Sequence, residues 1–372
     1  MMNNNTVKGF SLNGNERFHP GDATAVKQNT SVVEMEMPEL KEGEILAETL
    51  YTAVCGSDVS ATLCKPNFDW IQRPKVIGHE CSAKVLKLGP GKHGSLKVGD
   101  LFNPVAQLGC RKEDCPACRS GKWNLCPDKI ILGYHVNGAF GQQMVLKSDR
   151  VVPFIDGLNP EFGAIVEPLS VVVNAIYSKC CIKPGMDVLV TGCGIMGLMA
   201  AELARAAGAR VAITGIDHDR NIRLKAARKR NITTIVVSPE KNLLTRLNEG
   251  VRDGQGHLFG TKGKVDLLIE CSGIPQVLAE AIYAVKPEHD VCLIATYPDN
   301  VDLDATHITR QSLNIKGVMG SHKEHFMIAQ KLLVQGAFPA AHYINLYDFN
   351  HIDEAFADSI QAKTTKAVIK MN

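Results

Sequence analysis

The sequence lacks the features that direct a protein to a membrane or to nucleic acid. Its 372 residues contain no uncharged apolar run of about 18 or more residues, so no spanning helix is expected. Its 41 basic and 39 acidic residues form no basic stripe or acidic tail, so neither nucleic acid nor a membrane is expected as a partner. The N-terminal stretch lacks the apolar core of a secretory signal, and a cytoplasmic location is expected.

The remaining composition is typical of a globular protein. Hydrophobic residues make up 45% of the chain and charged residues 22%, and the length predicts two domains. No internal repeat is present. The 12 cysteines are many for a reducing compartment, and several of them lie close together in the sequence. This clustering favours metal binding over disulfides.

The stretch from Asp187 to Asp217 has the order strand, glycine-rich turn, helix, strand and acid. An apolar β-branched run is followed by glycines at G-x-G-x-x-G spacing and then by strong helix formers. That order predicts a dinucleotide site, where the glycines allow a tight turn, close approach of the pyrophosphate, and packing of helix on strand. The predicted cofactor-binding residues are Gly192, Gly194, Ile195, Met196, Gly197, Asp217, Arg220 and Ser272.

Two of these residues bear on the choice of dinucleotide. Asp217 lies 20 residues after Gly197, where a carboxylate accepts hydrogen bonds from the adenosine ribose. Because this carboxylate would repel a 2′-phosphate, NAD is predicted as cofactor over NADP. The very basic helix predicted for residues 220–230 is interpreted as a solvated face, with Arg220 near the adenosine as the alternative.

A cysteine quartet follows in the first half of the chain. Its members lie within 17 residues and include a C-x-x-C pair: Cys110, Cys115, Cys118 and Cys126. Four thiols at such spacing are typical of a closed tetrahedral zinc site with a structural role. The alternative, four unrelated thiols in a loop, would leave reactive groups exposed for no gain.

Further potential ligands occur in two short segments before the quartet. Cys55, Ser57 and Asp58 lie within four residues, and His79 and Glu80 follow a glycine. Taken alone, Cys55 is more simply a buried thiol and His79 a hydrogen-bonded histidine. Their occurrence in one half-domain shifts the interpretation toward a metal site.

Glu167 stands in an apolar segment, Glu161 to Val173, that is predicted to be helical. Burying a carboxylate costs several kcal/mol unless it is paired or bound to a metal. The alternative is a helix N-terminal charge that the dipole favours.

Two loops predicted to contact substrate contain polar side chains that suit a polyhydroxylated ligand, although loops are usually polar. These side chains are Asn67, Asp69, His135 and Asn137.

Taken together, these motifs resemble the zinc-dependent medium-chain dehydrogenases/reductases of the alcohol dehydrogenase superfamily, in particular the polyol (sorbitol or L-iditol) and threonine dehydrogenase-like branch. The resemblance extends over nearly the whole chain. It implies an α/β protein in which a GroES-like, mostly-β catalytic domain receives an inserted Rossmann-type domain with a doubly wound parallel sheet. The implied boundaries are 1–165 with a zinc lobe at about 105–130, then 166–306, then 307–372, with the active site in the cleft between the domains.

The resemblance also implies roles, residue by residue. The residues that match the ligands of a catalytic zinc are Cys55, His79 and Glu80, and the quartet matches the structural zinc site. Ser57 matches the hydroxyl that relays the substrate proton, and Asp58 is similar to the acid that orients the zinc-bound histidine. Glu167 matches an acid that either assists proton relay or joins the coordination. Whether Glu80 or Glu167 is the third direct ligand stays open.

The sequence departs from the family pattern in two places. The first gap in the cysteine quartet is four residues, where the family usually has two, so the loop must bulge. The histidine that the family often carries five residues after the first ligand is replaced by Ser60. Because that histidine serves proton relay in threonine dehydrogenases, its absence counts against threonine as substrate.

The expected function is hydride transfer between a secondary alcohol, such as a polyol, a sugar or an amino polyol, and NAD, giving the ketone. L-Threonine or a simple alcohol is the alternative substrate, and a homodimer or homotetramer is expected. A non-catalytic, zinc-stabilised dinucleotide sensor is the alternative from another class. A zinc-free quinone reductase is disfavoured by the potential zinc ligands.

Overall fold

A computed structural model describes residues 6–372 of the chain, so the part of the N-terminal prediction that concerns residues 1–5 lies outside it. The described residues form two compact units. No helix within residues 6–372 has both the length and the apolar character needed to cross a membrane.

The first unit is built from both ends of the chain. It contains the described residues up to Ser170 together with Gly320–Val334 and Ile344–Asn372. The second unit contains Val171–Met319 and Gln335–Tyr343. An inserted second unit is the arrangement that the family resemblance implies.

The domain boundaries expected after residues 165 and 306 differ in detail from this partition. Residues 307–319 stay in the second unit because Asn314–Gly317 forms a parallel strand beside Val285–Leu293. The chain therefore returns to the first unit at Gly320, not at residue 307.

The chain up to Val173 is mostly β-structure. Its strands are β1 Thr6–Leu12, β2 Thr30–Glu36, β3 Glu44–Ala53, β4 Lys75–Val76, β5 Glu80–Leu88, β6 Leu101–Pro104, β7 Gln107–Leu108, β8 Ile130–Ile131, β9 Gln143–Lys147 and β10 Val151–Pro153. Its helices are α1 Thr24–Asn29, α2 Gly56–Thr62, α3 Pro116–Arg119, α4 Pro160–Gly163 and α5 Val166–Val173.

The middle of the chain alternates strands and helices. The strands are β11 Asp187–Thr191, β12 Arg210–Gly215, β13 Thr233–Val236, β14 Val265–Glu270, β15 Val285–Leu293 and β16 Asn314–Gly317. The helices are α6 Ile195–Ala206, α7 Arg223–Lys229, α8 Leu243–Glu249, α9 Pro275–Ala281 and α10 Ala305–Gln311. Helix α7 begins three residues after the predicted start at Arg220, because Asp217–Asp219 form a separate 3₁₀ turn.

The remaining elements lie near the C-terminus. They are α11 Lys323–Val334, α12 Ala340–Tyr343, β17 Ile344–Asp348, α13 Ile352–Ile360 and β18 Lys366–Lys370.

The main sheet of the first unit has seven strands. Six follow the order β10-β6-β5-β3-β18-β17, and β9 also pairs with β3. Strand β3 alternates buried and more exposed residues, with Ile45 and Ala47 turned to the core, as expected of a strand with one buried face. Strand β18, from the end of the chain, pairs antiparallel with β3, so Val368 lies opposite Ala53.

The second unit contains a six-stranded parallel sheet in the order β13-β12-β11-β14-β15-β16. Strand β11 is buried along its whole length, which explains its continuous apolar run Val188–Val190. The strand order reverses between β11 and β14. In a doubly wound sheet, ligands bind outside the carboxyl ends of the strands at such a reversal.

Candidate metal sites and dinucleotide cavity

Three potential metal ligands come together at the end of strand β3. Cys55 follows β3 and precedes helix α2, whereas His79 directly precedes β5 and Glu80 begins it. The pairing of β3 with β5 sets Ala53 opposite Glu80 and so brings the two segments together. The ligand atoms of Cys55, His79 and Glu80 all lie within 4.8 Å of one another.

This donor set fits zinc. A thiolate, an imidazole and a carboxylate are ligand types that zinc prefers, and three protein ligands leave one position for a substrate atom. Burial, and then the charge of Glu80, raises the pKa of the Cys55 thiol. A divalent cation would offset this repulsion and favour the thiolate.

Glu80 also has a charged neighbour, Lys366, that belongs to none of the sequence motifs. The ammonium of Lys366, on strand β18, forms an ion pair with Glu80, and both side chains are almost completely buried. Lys366 also donates a hydrogen bond of 2.8 Å to the carbonyl of Val54. The antiparallel pairing of β18 with β3 delivers this lysine, so its role depends on contacts between distant parts of the chain.

Ser57 and Asp58 lie on the first turn of α2, against the Cys55 thiol. Ser57 Oγ donates to Cys55 Sγ at 3.1 Å, and Asp58 Oδ2 accepts from the Cys55 backbone N–H at 3.1 Å. Asp58 Oδ1 lies 3.7 Å from His79 Nδ1, which is longer than a hydrogen bond. Asp58 is thus placed to exert an electrostatic influence on His79 and to fix the backbone at Cys55.

Tyr134 is a site residue that the sequence analysis missed. Its buried hydroxyl lies 2.7 Å from Ser57 Oγ and 3.1 Å from Asp58 Oδ1, within hydrogen-bonding distance of both. Its ring packs edge-on against His79, with 5.4 Å between the ring centroids. In the same loop the sequence analysis names His135 and not Tyr134. The ring of His135 instead contacts Trp70, with centroids 4.7 Å apart.

Glu167 is near this group but is not a member of it. Among the described residues, the set whose ligand atoms meet within 4.8 Å contains Glu80 and not Glu167. Glu167 lies in the first turn of α5. Burial, and then the charge of Glu80, raises the pKa of Glu167 to about 7, although His79 opposes the shift.

The cysteine quartet forms a second cluster in the same unit. Its four sulfurs lie within 4.8 Å of one another, with Cys110 and Cys118 at 3.8 Å and Cys115 and Cys126 at 3.8 Å. The long first gap is absorbed by a turn in which Arg111 adopts a positive φ of 63° and the Cys115 N–H bonds to the Lys112 carbonyl at 3.1 Å. Four converging thiols fit a closed zinc site.

The second unit contains a cavity of about 560 Å³ at the reversal of its sheet. Of the predicted cofactor residues, Gly192, Gly194 and Ser272 line it. Ile195 and Met196 start helix α6, where backbone N–H groups without helical partners favour phosphates. A Cβ at Gly197 would lie 1.9 Å from the carbonyl oxygen of Gly192, so only glycine permits this close approach of helix and turn.

Ser272 is held at the cavity wall by buried Glu270. The Glu270 Oε1 atom accepts hydrogen bonds from the Ser272 backbone N–H at 2.7 Å and from the Ser272 hydroxyl. Tyr297 donates to the other carboxylate oxygen at 2.5 Å. This network fixes the turn after β14.

Asp217 and Arg220 lie next to the cavity in sequence, between the lining residues Ile216 and Arg223. Neither belongs to the lining of the cavity. Strand β12 ends at Gly215, two residues before Asp217, and the following 3₁₀ turn directs the Asp217 side chain outward, where it is 84% exposed and ion-paired with Arg220. The acids that line the cavity are Asp219 and Glu280.

The fold and these sites define a class of protein. A mixed thiol, imidazole and carboxylate group fits a catalytic metal, and a cavity behind a glycine-rich turn of a doubly wound sheet fits a dinucleotide. Such a protein is a metal-dependent dehydrogenase.

Comparisons with known proteins specify the family. Residues 41–156 match the alcohol dehydrogenase GroES-like domain, and residues 196–335 match the zinc-binding dehydrogenase domain. The chain is 28% identical to L-threonine 3-dehydrogenase of Pyrococcus horikoshii over 351 residues, covering 91% of this chain and 94% of that protein.

Solved structures agree on the fold. The crystal structure of 2R,3R-butanediol dehydrogenase from Bacillus subtilis has a TM-score of 0.81 at 23% identity, covering 98% of this chain and 100% of that one. An NADP-bound zinc-binding dehydrogenase from Sinorhizobium meliloti 1021 has a TM-score of 0.81 at 22% identity, covering 98% and 99%.

The chain therefore belongs to the zinc-dependent medium-chain dehydrogenase/reductase family. The predictions of fold class, of an alcohol-type dehydrogenase, and of zinc with a nicotinamide dinucleotide as cofactors are confirmed. The alternative of a non-catalytic sensor is left without an observation in its favour.

Proposed function

We propose that the protein oxidises a secondary alcohol to the ketone, with NAD as hydride acceptor, and that the substrate carries a second polar group beside the reacting hydroxyl. The observation that supports this most is the Ser57 hydroxyl placed against a three-ligand group of Cys55, His79 and Glu80. The relatives named for threonine and butanediol act on compounds with a secondary hydroxyl next to a polar substituent. A polyol, sugar or amino polyol has the same pattern.

The residues of this group would have separate roles in such a reaction. Zinc held by Cys55, His79 and Glu80 supplies Lewis-acid polarisation of the substrate oxygen when it is bound. Ser57 would accept the hydroxyl proton of the substrate at Oγ and release its own proton to the Tyr134 hydroxyl, 2.7 Å away, from where it leaves for solvent. A nicotinamide dinucleotide held at the glycine-rich turn Gly192–Gly197 would accept the hydride from the carbinol carbon, while the hydroxyl proton would leave through Ser57.

Tyr134 and Asp58 position Ser57 and Cys55 for these steps. Tyr134 holds Ser57 Oγ at 2.7 Å, and Asp58 holds the Cys55 backbone at 3.1 Å. Neither residue needs to touch the substrate. We assign to Glu167 a supporting electrostatic role beside the metal group, since its carboxylate lies outside the 4.8 Å ligand set.

L-Threonine is the second candidate substrate. It is favoured by the 28% identity to L-threonine 3-dehydrogenase over 91% of the chain. It is disfavoured by Ser60, which stands where threonine dehydrogenases carry the relay histidine.

A substrate panel tests the proposal. Initial rates of NADH formation are measured with polyols, sugars, vicinal diols, simple alcohols and L-threonine, and a His79→Ala variant controls for contaminating activity. We expect the highest kcat/KM for a polyhydroxylated secondary alcohol. A preference for primary or isolated hydroxyls, or for L-threonine, would overturn the substrate assignment.

A further inference from the structure

A buried arginine lies beside the cysteine quartet. Arg150 ends the 3₁₀ turn Ser148–Arg150 between β9 and β10 and is only 2% exposed. Charged side chains are almost never buried to this extent without a compensating charge. We propose that Arg150 is the counter-charge of the zinc-loaded quartet. It strengthens zinc binding by compensating the negative charge of the thiolates and does not bind the metal itself, so it is a positioning residue.

The first observation is that Arg150 and one quartet sulfur lie against the same residue. Arg150 Nη2 donates a hydrogen bond of 3.0 Å to the carbonyl of Gly109, which directly precedes Cys110. A Cβ added at Gly109 would lie 2.6 Å from Cys118 Sγ. Arg150 and Cys118 also line one cavity of about 330 Å³. The guanidinium and the sulfur are therefore near neighbours.

The second observation is a donor of Arg150 that lacks a partner. Its Nη1 nitrogen is buried and has no hydrogen-bond partner among the described residues, whereas its Nε lies 3.4 Å from Asp149 Oδ1. An unpaired buried donor costs free energy, and sulfur is an acceptor that can pair with it. Burial lowers the pKa of the Arg150 guanidinium. The charges of Asp149, Cys118 and Cys126 oppose this lowering, so both sulfurs act on the guanidinium electrostatically.

The third observation is a group of like charges around one acid. Arg150 Cζ lies 4.1 Å, and Lys323 Nζ 5.5 Å, from the centroid of the Trp123 ring. Burial lowers the pKa of Lys323, and the charge of Arg150 adds to this effect. Arg111 forms an ion pair with Asp149, the same acid that lies beside Arg150. Three cations thus surround one carboxylate, and the group has an excess of positive charge.

The other charged side chains of this cavity leave the excess in place. Lys112 is ion-paired with Asp128 at 2.6 Å, and the exposed Glu113 and Arg119 are of opposite sign. Four thiolates around one Zn²⁺ carry a net charge of about −2, so the loaded quartet supplies the missing negative charge. Neutral thiols of an empty quartet would not supply it. The cations therefore favour the zinc-loaded state.

The test follows both zinc equivalents of the loaded full chain in competition with a chromophoric chelator. The quartet's equivalent is the one that Cys118→Ser lacks. Arg150→Gln should lower the zinc affinity of the quartet by about 10- to 100-fold, as the loss of an outer-shell partner does. The other equivalent should stay within about twofold of wild type, and it counts the folded chains if the variant folds incompletely.

Two further variants separate charge from shape. Arg119→Gln is the matched control, because it removes the same charge from an exposed position in the same cavity wall. It should change the zinc affinity of the quartet by less than about twofold, since water screens an exposed charge. Arg150→Lys should restore the affinity to within about fivefold of wild type, because an ammonium keeps the charge although it lacks the planar fork.

Cobalt substitution provides a measurement that does not depend on the amount of folded protein. The sulfur-to-cobalt charge-transfer band of the quartet is obtained as the difference from cobalt-loaded Cys118→Ser. In Arg150→Gln this band should move to longer wavelength, because the loss of a nearby cation raises the energy of the sulfur lone pairs. Arg119→Gln should leave the band in its wild-type position.

Three results would overturn the inference. The first is an unchanged quartet affinity with an unchanged band in Arg150→Gln. The second is an equal loss of affinity in Arg150→Lys and Arg150→Gln, which would show that the guanidinium acts through its shape. The third is a Tm that inorganic phosphate raises in the wild type and not in Arg150→Gln, which would show that Arg150 serves an anion from solution.

Discussion

The two ligand clusters of the first unit differ in what they leave open. The cysteine quartet offers four thiols of one kind, all within 4.8 Å of one another, and so can fill a tetrahedral shell by itself. The other cluster offers a thiol, an imidazole and a carboxylate, with a hydroxyl at 3.1 Å from the thiol. The first arrangement has no position for a substrate, whereas the second has one.

The two clusters also differ in the parts of the chain that surround them. The quartet is held by local turns and helix α3, and its members span a short piece of chain. The mixed cluster is assembled from separate strands and has charged residues packed on it, including Lys366 and Asp58. We propose that the closed local cluster serves stability and that the open cluster with charged neighbours serves chemistry. The following predictions test this contrast, from the largest expected effect to the smallest.

Removing a ligand of the mixed cluster should abolish turnover. His79→Ala should lose one zinc equivalent and more than about 1,000-fold in kcat/KM, because the substrate oxygen loses its Lewis acid. NADH affinity should stay unchanged, since the cavity belongs to the second unit. Metal analysis, rates and NADH titration check this, with His351→Ala at an exposed position as control. Loss of NADH binding together with turnover would contradict the claim that the metal group and the dinucleotide cavity act separately.

Removing a ligand of the quartet should affect stability first. Cys118→Ser should also lose one zinc equivalent, and a loss of about 3 kcal/mol would lower Tm by roughly 6 to 12 °C. The folded fraction should keep its kcat. Calorimetry and active-site titration measure this, with the exposed Cys181→Ser as control. A stable variant with low kcat would reverse the assignment of the two clusters.

A substitution of Glu167 tests whether this carboxylate binds the zinc directly or only lies near it. Glu167→Gln should keep its zinc and lose about 10- to 100-fold in kcat, because the carboxylate acts on the charges around the metal without binding it. Glu161→Gln, in the nearby helix α4, is the control. Zinc affinity that falls as far as in Glu80→Gln would show that Glu167 is a direct ligand.

Tyr134 should give the smallest effect. Tyr134→Phe removes the hydroxyl that holds Ser57 and should lower kcat by about 10-fold while zinc content and Tm stay unchanged. The solvent isotope effect on kcat should rise, because proton transfer through a less ordered Ser57 becomes more limiting. The exposed Tyr177→Phe is the control. An unchanged kcat and an unchanged isotope effect would show that the Tyr134 hydroxyl does not position Ser57 for the reaction.

Local motifs made the fold class and most of the ligand sets predictable from the sequence. The glycine-rich turn between β11 and α6 and the cysteine quartet are each formed by a short segment of chain. Cys55, His79 and Glu80 meet through the pairing of β3 with β5, and here the residue types and their order carried the prediction. Lys366 could not be predicted, since the hydrogen bond that it forms spans 312 residues and depends on the pairing of β18 with β3.

Tyr134 escaped prediction for a related physical reason. Tyr134 lies in a loop whose path depends on the strands around it. A buried tyrosine needs a partner for its hydroxyl, and that need is a signal that could have directed attention to it.

The central claim is that turnover depends on a metal held by Cys55, His79 and Glu80, separately from the quartet. The most direct measurement removes zinc with a chelator and returns it stepwise while bound zinc and turnover are followed together. The account predicts that turnover disappears with the loss of one equivalent per chain and returns when that equivalent is restored, while Tm follows the other equivalent. Full turnover in protein shown to contain no metal would contradict it.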